Sequence, residues 1–294
     1  MENARMSPLA IIGANGMLAQ KVCACAPESF DIHRYDLPDF DMTNREQVIA
    51  EMRRLGPSVI INCAAFTNVD GCEEQEALAT RVNGEGVANL IAAAKDVGAV
   101  LVHISTDYVY SGRAHTPYSE DDPLEPLSAY GRSKLVGERA ILQSGYDAYF
   151  ILRTSWLYGP GGKNFVETML RLAAEREEMR VVVDQIGTPT YTGDLATAIF
   201  ALLHTPVPQY GVYNFSNLGE CSWHQFAEEI VHLARQENRM LKVQRVLPIR
   251  TEEYPLPAVR PSYSVLSKEK FVKVSGMDVP NWKESLKTYM QERC

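Results

Sequence analysis

The chain has 294 residues, of which 46% are hydrophobic, and a formal net charge of −8. That apolar content suffices for a substantial core in one large or two interlocked domains, while the acidic balance and the lack of any Lys/Arg stripe argue against a nucleic-acid partner. Six cysteines (Cys23, Cys25, Cys63, Cys72, Cys221, Cys294) lack C-x-x-C spacing, no apolar run reaches membrane-span length and the opening residues carry no signal pattern, so the expectation is a soluble, cytoplasmic protein with reduced thiols and no membrane partner.

The first half of the chain alternates strand and helix. Leu9-Ala10-Ile11-Ile12 is a short apolar run leading into Gly13-Ala14-Asn15-Gly16-Met17-Leu18-Ala19, a G-x-x-G-x-x-A turn that opens a helix. Glycine permits the tight turn and lets backbone N–H groups approach a pyrophosphate, which then rests on the positive end of the helix. Phe30 to Tyr35 reads as a second strand ending at Asp36, where a carboxylate binds the adenosine ribose hydroxyls and favours NAD. The nearby Arg34 would instead accept a 2′-phosphate, so this pair leaves the choice open, and Asp36 also reads as the start of a turn before Pro38. Thr43-Asn44-Arg45-Glu46 is a capping box for a helix running to about Leu55, stopped by Gly56-Pro57. Val59 to Ala65 reads as a third strand with Cys63 buried in it. A helical region from about Cys72 to Asp96 follows, interrupted near Asn83-Gly84-Glu85-Gly86, and the run from Val100 to Ile104 places Thr106 at a strand's carboxyl end. This alternation predicts a right-handed, parallel, doubly wound sheet.

Tyr130 and Lys134 lie four apart in the next predicted helix and point into one pocket. An ammonium beside a phenol favours phenolate; tyrosine titrates near pH 10, so bringing it near neutrality takes about 4 kcal/mol. Alone, the pair is a weak signal that reads more readily as two solvated side chains on a helix. After it, Tyr149 to Thr154 reads as a strand, followed by Ser155 and Trp156, and Gly159-Pro160-Gly161-Gly162 marks where the alternation fails. Gly193 to His204 is predicted as a helix returning to the sheet and Gly211 to Phe215 as an added strand. Ser222 caps a helix to about Gln236, and Ser267 and Asn281 are predicted caps of the last two helices. His224 and His232 lack metal-ligand spacing, and no metal is expected. Arg260, in an extended Pro-rich stretch, has the geometry to clamp a diphosphate.

The glycine turn, Ser105-Thr106-Asp107-Tyr108-Val109-Tyr110, Ala129-Tyr130-Gly131-Arg132-Ser133-Lys134, Arg153-Thr154-Ser155-Trp156-Leu157-Tyr158-Gly159 and Gly187-Thr188-Pro189-Thr190 occur in one order along the chain. In this the chain resembles an extended short-chain dehydrogenase/reductase, and more closely the dTDP-4-dehydrorhamnose reductase family. The resemblance implies a Rossmann-type domain over 1–154, to which 187–215 returns, with 155–186 and 216–294 forming a smaller, interleaved substrate-binding domain. It implies NADPH as cofactor, with NADH tolerated, held by Gly13, Gly16, Met17, Leu18, Asp36, Asp41, Met42, Ala65, Phe66, Thr67, Tyr130 and Lys134. Thr106, Tyr130 and Lys134 become the catalytic set, Lys134 lowering the pKa of Tyr130. Thr106, Asp107, Trp156 and Arg260 become substrate-binding residues, although Trp156 at a domain junction reads equally as core. Asn83 reads either as a helix bend or as a support for Lys134, and Asn164 and Phe165 open a helix near the nucleotide.

Two other readings are consistent with the same superfamily: a nucleotide-sugar epimerase or dehydratase with tightly held NAD, and a non-catalytic dinucleotide-binding regulatory subunit. The dehydratases resemble T-D-E after the fourth strand, where this chain has Tyr108; the intact Thr106, Tyr130, Lys134 and Trp156 favour an enzyme. Some reductases of the family dimerise around Mg²⁺ held by carboxylates, where this chain has Lys21 and Gly193. Neither residue ligates the ion, so the expectation is a monomer with no Mg²⁺-bridged dimer.

Overall fold

In the computed structural model, which describes residues 6–293, six strands form one wholly parallel sheet. Their order across the sheet is Gly211–Asn214, Tyr149–Thr154, Val100–Thr106, Val59–Asn62, Ser7–Ile12, Phe30–Tyr35. The chain steps outward from the first strand to the second, then returns past the first to the third. Open α/β sheets form their ligand crevice at such a switch point, beyond the carboxyl ends of the strands.

The inner strands are mostly apolar along their whole length because both faces of the sheet are buried there, whereas the edge strand Phe30–Tyr35 is partly exposed. Successive side chains point to opposite faces. Leu9, Ile11, Val102 and Leu152 pack against the helices Met17–Cys25 and Thr192–Leu203. Ala10, Ile12, Ile60, Leu101 and Ile151 pack against Arg45–Leu55 and Gly86–Val97 on the other side. A second core joins Leu170, Phe226, Ile230, Trp282 and Leu286 from the helices Phe165–Glu175, Trp223–Gln236 and Trp282–Glu292. Phe271 and Val279 belong to the core of the large sheet, so the chain crosses back once more within the stretch 216–294 that was expected to belong wholly to the second unit.

Several boundaries differ from expectation for identifiable reasons. Asn44, not Thr43, caps the helix Arg45–Leu55, accepting from Gln47 N at 3.2 Å, because Thr43 bonds Asp41 and Gln47 reaches back to the Asp41 N–H. The third strand stops at Asn62, whose side chain accepts from Ala64 N and turns the chain, leaving Cys63 beyond the strand. The long helical region is broken into Val69–Glu74, Glu76–Thr80, a π turn at Arg81–Glu85 and Gly86–Val97. Ser267 is held by a backbone bond to Tyr118, so Lys268 becomes the cap of Glu269–Ser275, whereas Asn281 forms a full capping box with Glu284. The five described cysteines are unpaired, Cys294 lies outside the described residues, and no described helix is long and apolar enough to cross a membrane.

Candidate active site

Above the switch point opens a cleft of about 920 Å³, within the range of small-molecule and cofactor sites. Its first wall is the glycine turn. Gly13 adopts φ +76°, and a Cβ there would lie 2.7 Å from the Ala64 backbone, so the turn packs against the start of the loop after the third strand. The helix Met17–Cys25 begins at Gly16 without a side-chain cap, beside the cleft that Gly16, Met17 and Leu18 line, and a helix end of this kind favours negative charge. Asp36 accepts from Asn15 N at 2.7 Å, while Arg34 donates to Ala14 O at 2.9 Å. Both residues on which cofactor choice turns therefore grip the glycine turn itself.

The second wall is made where strands end. Thr106 accepts from Tyr108 N at 3.2 Å and donates to Asp107 Oδ1 at 3.0 Å, and it lies close enough to the Tyr130 phenol to favour its charged form. Tyr130 stands in the first turn of the helix Ala129–Leu142, capped by Ser128, and meets Tyr108 edge to face with ring centroids 5.6 Å apart. Burial pushes the phenol's pKa above its ordinary value, with Thr106 opposing. The expected depression by Lys134 is absent here, because desolvation dominates and the Lys134 ammonium donates to the Ile104 carbonyl at 2.6 Å. A neutral phenol is the proton-donating form. Lys134 is only 2% exposed, and burial lowers its pKa to about 8, with Glu138 and Cys63 opposing. Asp107 is equally buried, its carboxyl pushed up to about 6 by desolvation, and its Oδ2 has no hydrogen-bond partner.

The third wall is aromatic. Trp156 adopts φ +46°, a strained conformation for a residue with a side chain, and stacks on Trp223 with centroids 3.5 Å apart and planes at 8°. Its other neighbour is Gly187, where a Cβ would approach the indole to 2.6 Å. Phe165 leans on Trp223 at 4.6 Å, and Asn164 caps the helix it opens.

Every expected cofactor residue lines the cleft except Phe66; Thr106, Asp107 and Trp156 line it too. Phe66 instead packs with Cys72, Ala79, Ala129 and Tyr130, while the Asn83 amide brackets its backbone at 2.8 and 3.1 Å. Asn83 also donates to Ser133, so it steadies the neighbour of Lys134 and not Lys134 itself. Arg260 lies outside the cleft lining, paired with Asp70 at 2.8 and 3.1 Å. Lys21 donates to Glu292 at 2.5 Å. Sequence reasoning missed Trp223 and His103. Trp223 follows a legible cap, Ser222, but nothing local marks it as a cleft residue; His103 sits inside an apolar run that reads simply as strand.

The RmlD substrate binding domain family matches residues 6–294. The chain is 40% identical to the spore coat polysaccharide biosynthesis protein SpsK of Bacillus subtilis, over 98% of each chain. It is also 40% identical to the dTDP-4-dehydrorhamnose reductase of Burkholderia thailandensis, over 93% of this chain and 94% of that one. The solved dTDP-4-dehydrorhamnose reductase of Bacillus anthracis, in complex with NADP, superposes with a TM-score of 0.91 at 42% identity, covering 97% of this chain and 99% of the other. A full-length match, a parallel sheet with its cleft at the switch point and a Thr-Tyr-Lys set in the cleft lining agree: the chain belongs to the RmlD substrate binding domain family, that of the dTDP-4-dehydrorhamnose reductases.

Proposed function

We propose that this protein reduces the C4 keto group of dTDP-4-dehydro-L-rhamnose to dTDP-L-rhamnose with NADPH. One observation carries the reading: Thr106, Tyr130 and Lys134 line the same cleft as an uncapped helix end and a glycine turn packed too closely on Ala64 to admit a side chain at Gly13. These residues fit a dinucleotide, with the pyrophosphate against Gly13, Gly16, Met17 and Leu18 and the adenosine toward Asp36, Asp41 and Met42. NADPH is the cofactor, as in the solved relative, and NADH is tolerated. Bound there, the dinucleotide supplies the hydride. Tyr130, kept neutral by burial, donates its proton to the carbonyl oxygen as charge develops on it. The Thr106 hydroxyl turns its one proton from Asp107 to the same oxygen, and the Lys134 ammonium holds the ribose and offsets the charge left on Tyr130. Trp156, backed by Trp223, presents an apolar face to the sugar, and Arg260 exchanges part of its Asp70 contact for the substrate diphosphate.

We further read the protein as a cytoplasmic monomer without nucleic-acid partners: Lys21 is paired with Glu292, and Gly193 offers no side-chain ligand for a bridging ion. A scattering mass that halves in EDTA relative to Mg²⁺ contradicts this. The catalytic assignment is tested with Tyr130→Phe. Loss of the general acid lowers kcat by about 10²–10⁴-fold, with folding and NADPH binding retained; a near-wild-type kcat overturns it.

A further inference from the structure

Beneath the cleft runs a buried row of polar groups for which the reaction gives no role. His103, in the strand Val100–Thr106, is 0% exposed and lies between Asn62 and Lys134. The Asn62 amide has one orientation, because its Oδ1 accepts from Ala64 N at 3.0 Å. Its Nδ2 therefore donates to His103 Nδ1, also at 3.0 Å. Burial, and then the charge of Lys134, holds the ring neutral. A neutral imidazole that accepts at Nδ1 carries its proton on Nε2. That N–H faces the Lys134 nitrogen at 3.4 Å, so two donors meet and the ammonium makes its short bond to Ile104 O instead.

We propose that His103, locked as the Nε2–H tautomer by Asn62, is a positioning residue for Lys134: it turns the charged amine away from the sheet interior toward Ile104 and the cleft. When the lysine loses its proton, its lone pair accepts from the same Nε2–H, and the side chain is drawn back. His103 thus sets both where the charge points and how readily it is lost. The proposal rests on the reading that Lys134 serves Tyr130 and the dinucleotide. The other groups acting on Lys134 are Cys63 beyond the third strand and Glu138 one turn on along its own helix; Tyr130, one turn back, lines the same cleft. Glu138 is bonded to Arg153 and Ser105.

Two measurements test this. In protein labelled with ¹⁵N-histidine, NMR reads the His103 tautomer without substrate: Nε2 protonated and Nδ1 bare between about pH 6 and 9, a window whose acid end lies below the ordinary histidine pKa of about 6.5. A ring protonated at Nδ1, or an imidazolium, overturns the proposal. Because Lys134 must be charged, kcat/KM falls as pH rises through its pKa. Asn62→Asp replaces the donor with an acceptor, shifts the ring to Nδ1–H and frees Nε2 to accept from the ammonium. The alkaline limb of kcat/KM then moves up by about one pH unit, the size of a hydrogen bond to a charged group. The added carboxylate also favours the charged lysine, so Asn62→Asp/His103→Leu isolates the ring. The limb should return at least halfway to wild type; an unmoved limb in the single variant, or an equal shift in the double, refutes the proposal. A wild-type enzyme that turns over no keto sugar while showing the expected tautomer refutes the reductase reading instead, so the two failures are distinct.

Discussion

Along the wall we assign to the dinucleotide, four lining residues stand at or just after the end of a strand in one sheet: Gly13, Cys63, Thr106 and Ser155 follow or close Ser7–Ile12, Val59–Asn62, Val100–Thr106 and Tyr149–Thr154. Along the wall we assign to the sugar, contacts join distant parts of the chain. Trp156 meets Trp223, far along the chain, at the edge of the second core, and Arg260 meets Asp70, 190 residues away in sequence. The first wall inherits the rigidity of a sheet buried on both faces; the second depends on a few aromatic and ionic contacts between loops and helix ends. Substitutions should therefore cost stability and cofactor affinity on one side, and substrate affinity on the other.

The largest expected break lies under the first wall. Arg153 and Glu138 pair at 2.7 Å with side chains 2% and 0% exposed. Glu138→Gln leaves a buried guanidinium without its counter-charge and should destabilise the fold by about 3–5 kcal/mol in urea unfolding. A loss under about 1 kcal/mol, the level of an exposed pair, would show this wall to be less rigid than described. Gly13→Ala forces a side chain into a left-handed turn against Ala64, at about 1–3 kcal/mol of strain. NADPH affinity, followed by fluorescence titration, should fall in step, by roughly tenfold for each 1.4 kcal/mol of strain carried into the bound state.

On the aromatic wall assigned to the sugar, Trp223→Ala removes a stacked aromatic worth about 0.5–1.5 kcal/mol, or roughly a 2- to 12-fold rise in KM for the keto sugar. NADPH affinity should not change; if it falls instead, the division between the walls is wrong. The smallest effect concerns the Asp70–Arg260 pair, whose partners are partly exposed. Arg260 holds the Asp70 carboxyl below its ordinary pKa. Its contribution, under about 1 kcal/mol, is full above the unfolded carboxyl's pKa near 4 and is lost as pH falls through the folded value. The Tm difference between wild type and Asp70→Asn should therefore be constant from pH 7 to about 5 and shrink below about 4.

The same contrast explains what can be read from the residues alone. The strands Phe30–Tyr35 and Tyr149–Thr154 are legible to the residue, as is the Ser222 cap, because apolar runs and capping side chains are local signals. Tyr130 and Lys134 are legible as neighbours on one helix. The protonation of Tyr130 is not, since it depends on burial beneath the Tyr108 loop and on where the lysine's hydrogen bond goes. Arg260 reads as a free diphosphate clamp until its carboxylate partner is found in a helix near the other end of the chain. Phe271 and Val279 give no local sign that they return to the first core, and His103 gives none that it faces a lysine and not merely other side chains of the interior.

The count of NADPH oxidised per sugar converted tests the central claim most directly. With dTDP-4-dehydro-L-rhamnose the account predicts one NADPH consumed for each dTDP-L-rhamnose formed, from protein purified without a retained dinucleotide. Conversion of the sugar with no net oxidation, by protein carrying stoichiometric bound NAD, would contradict it and place the chain's chemistry with the hydride-returning epimerases and dehydratases.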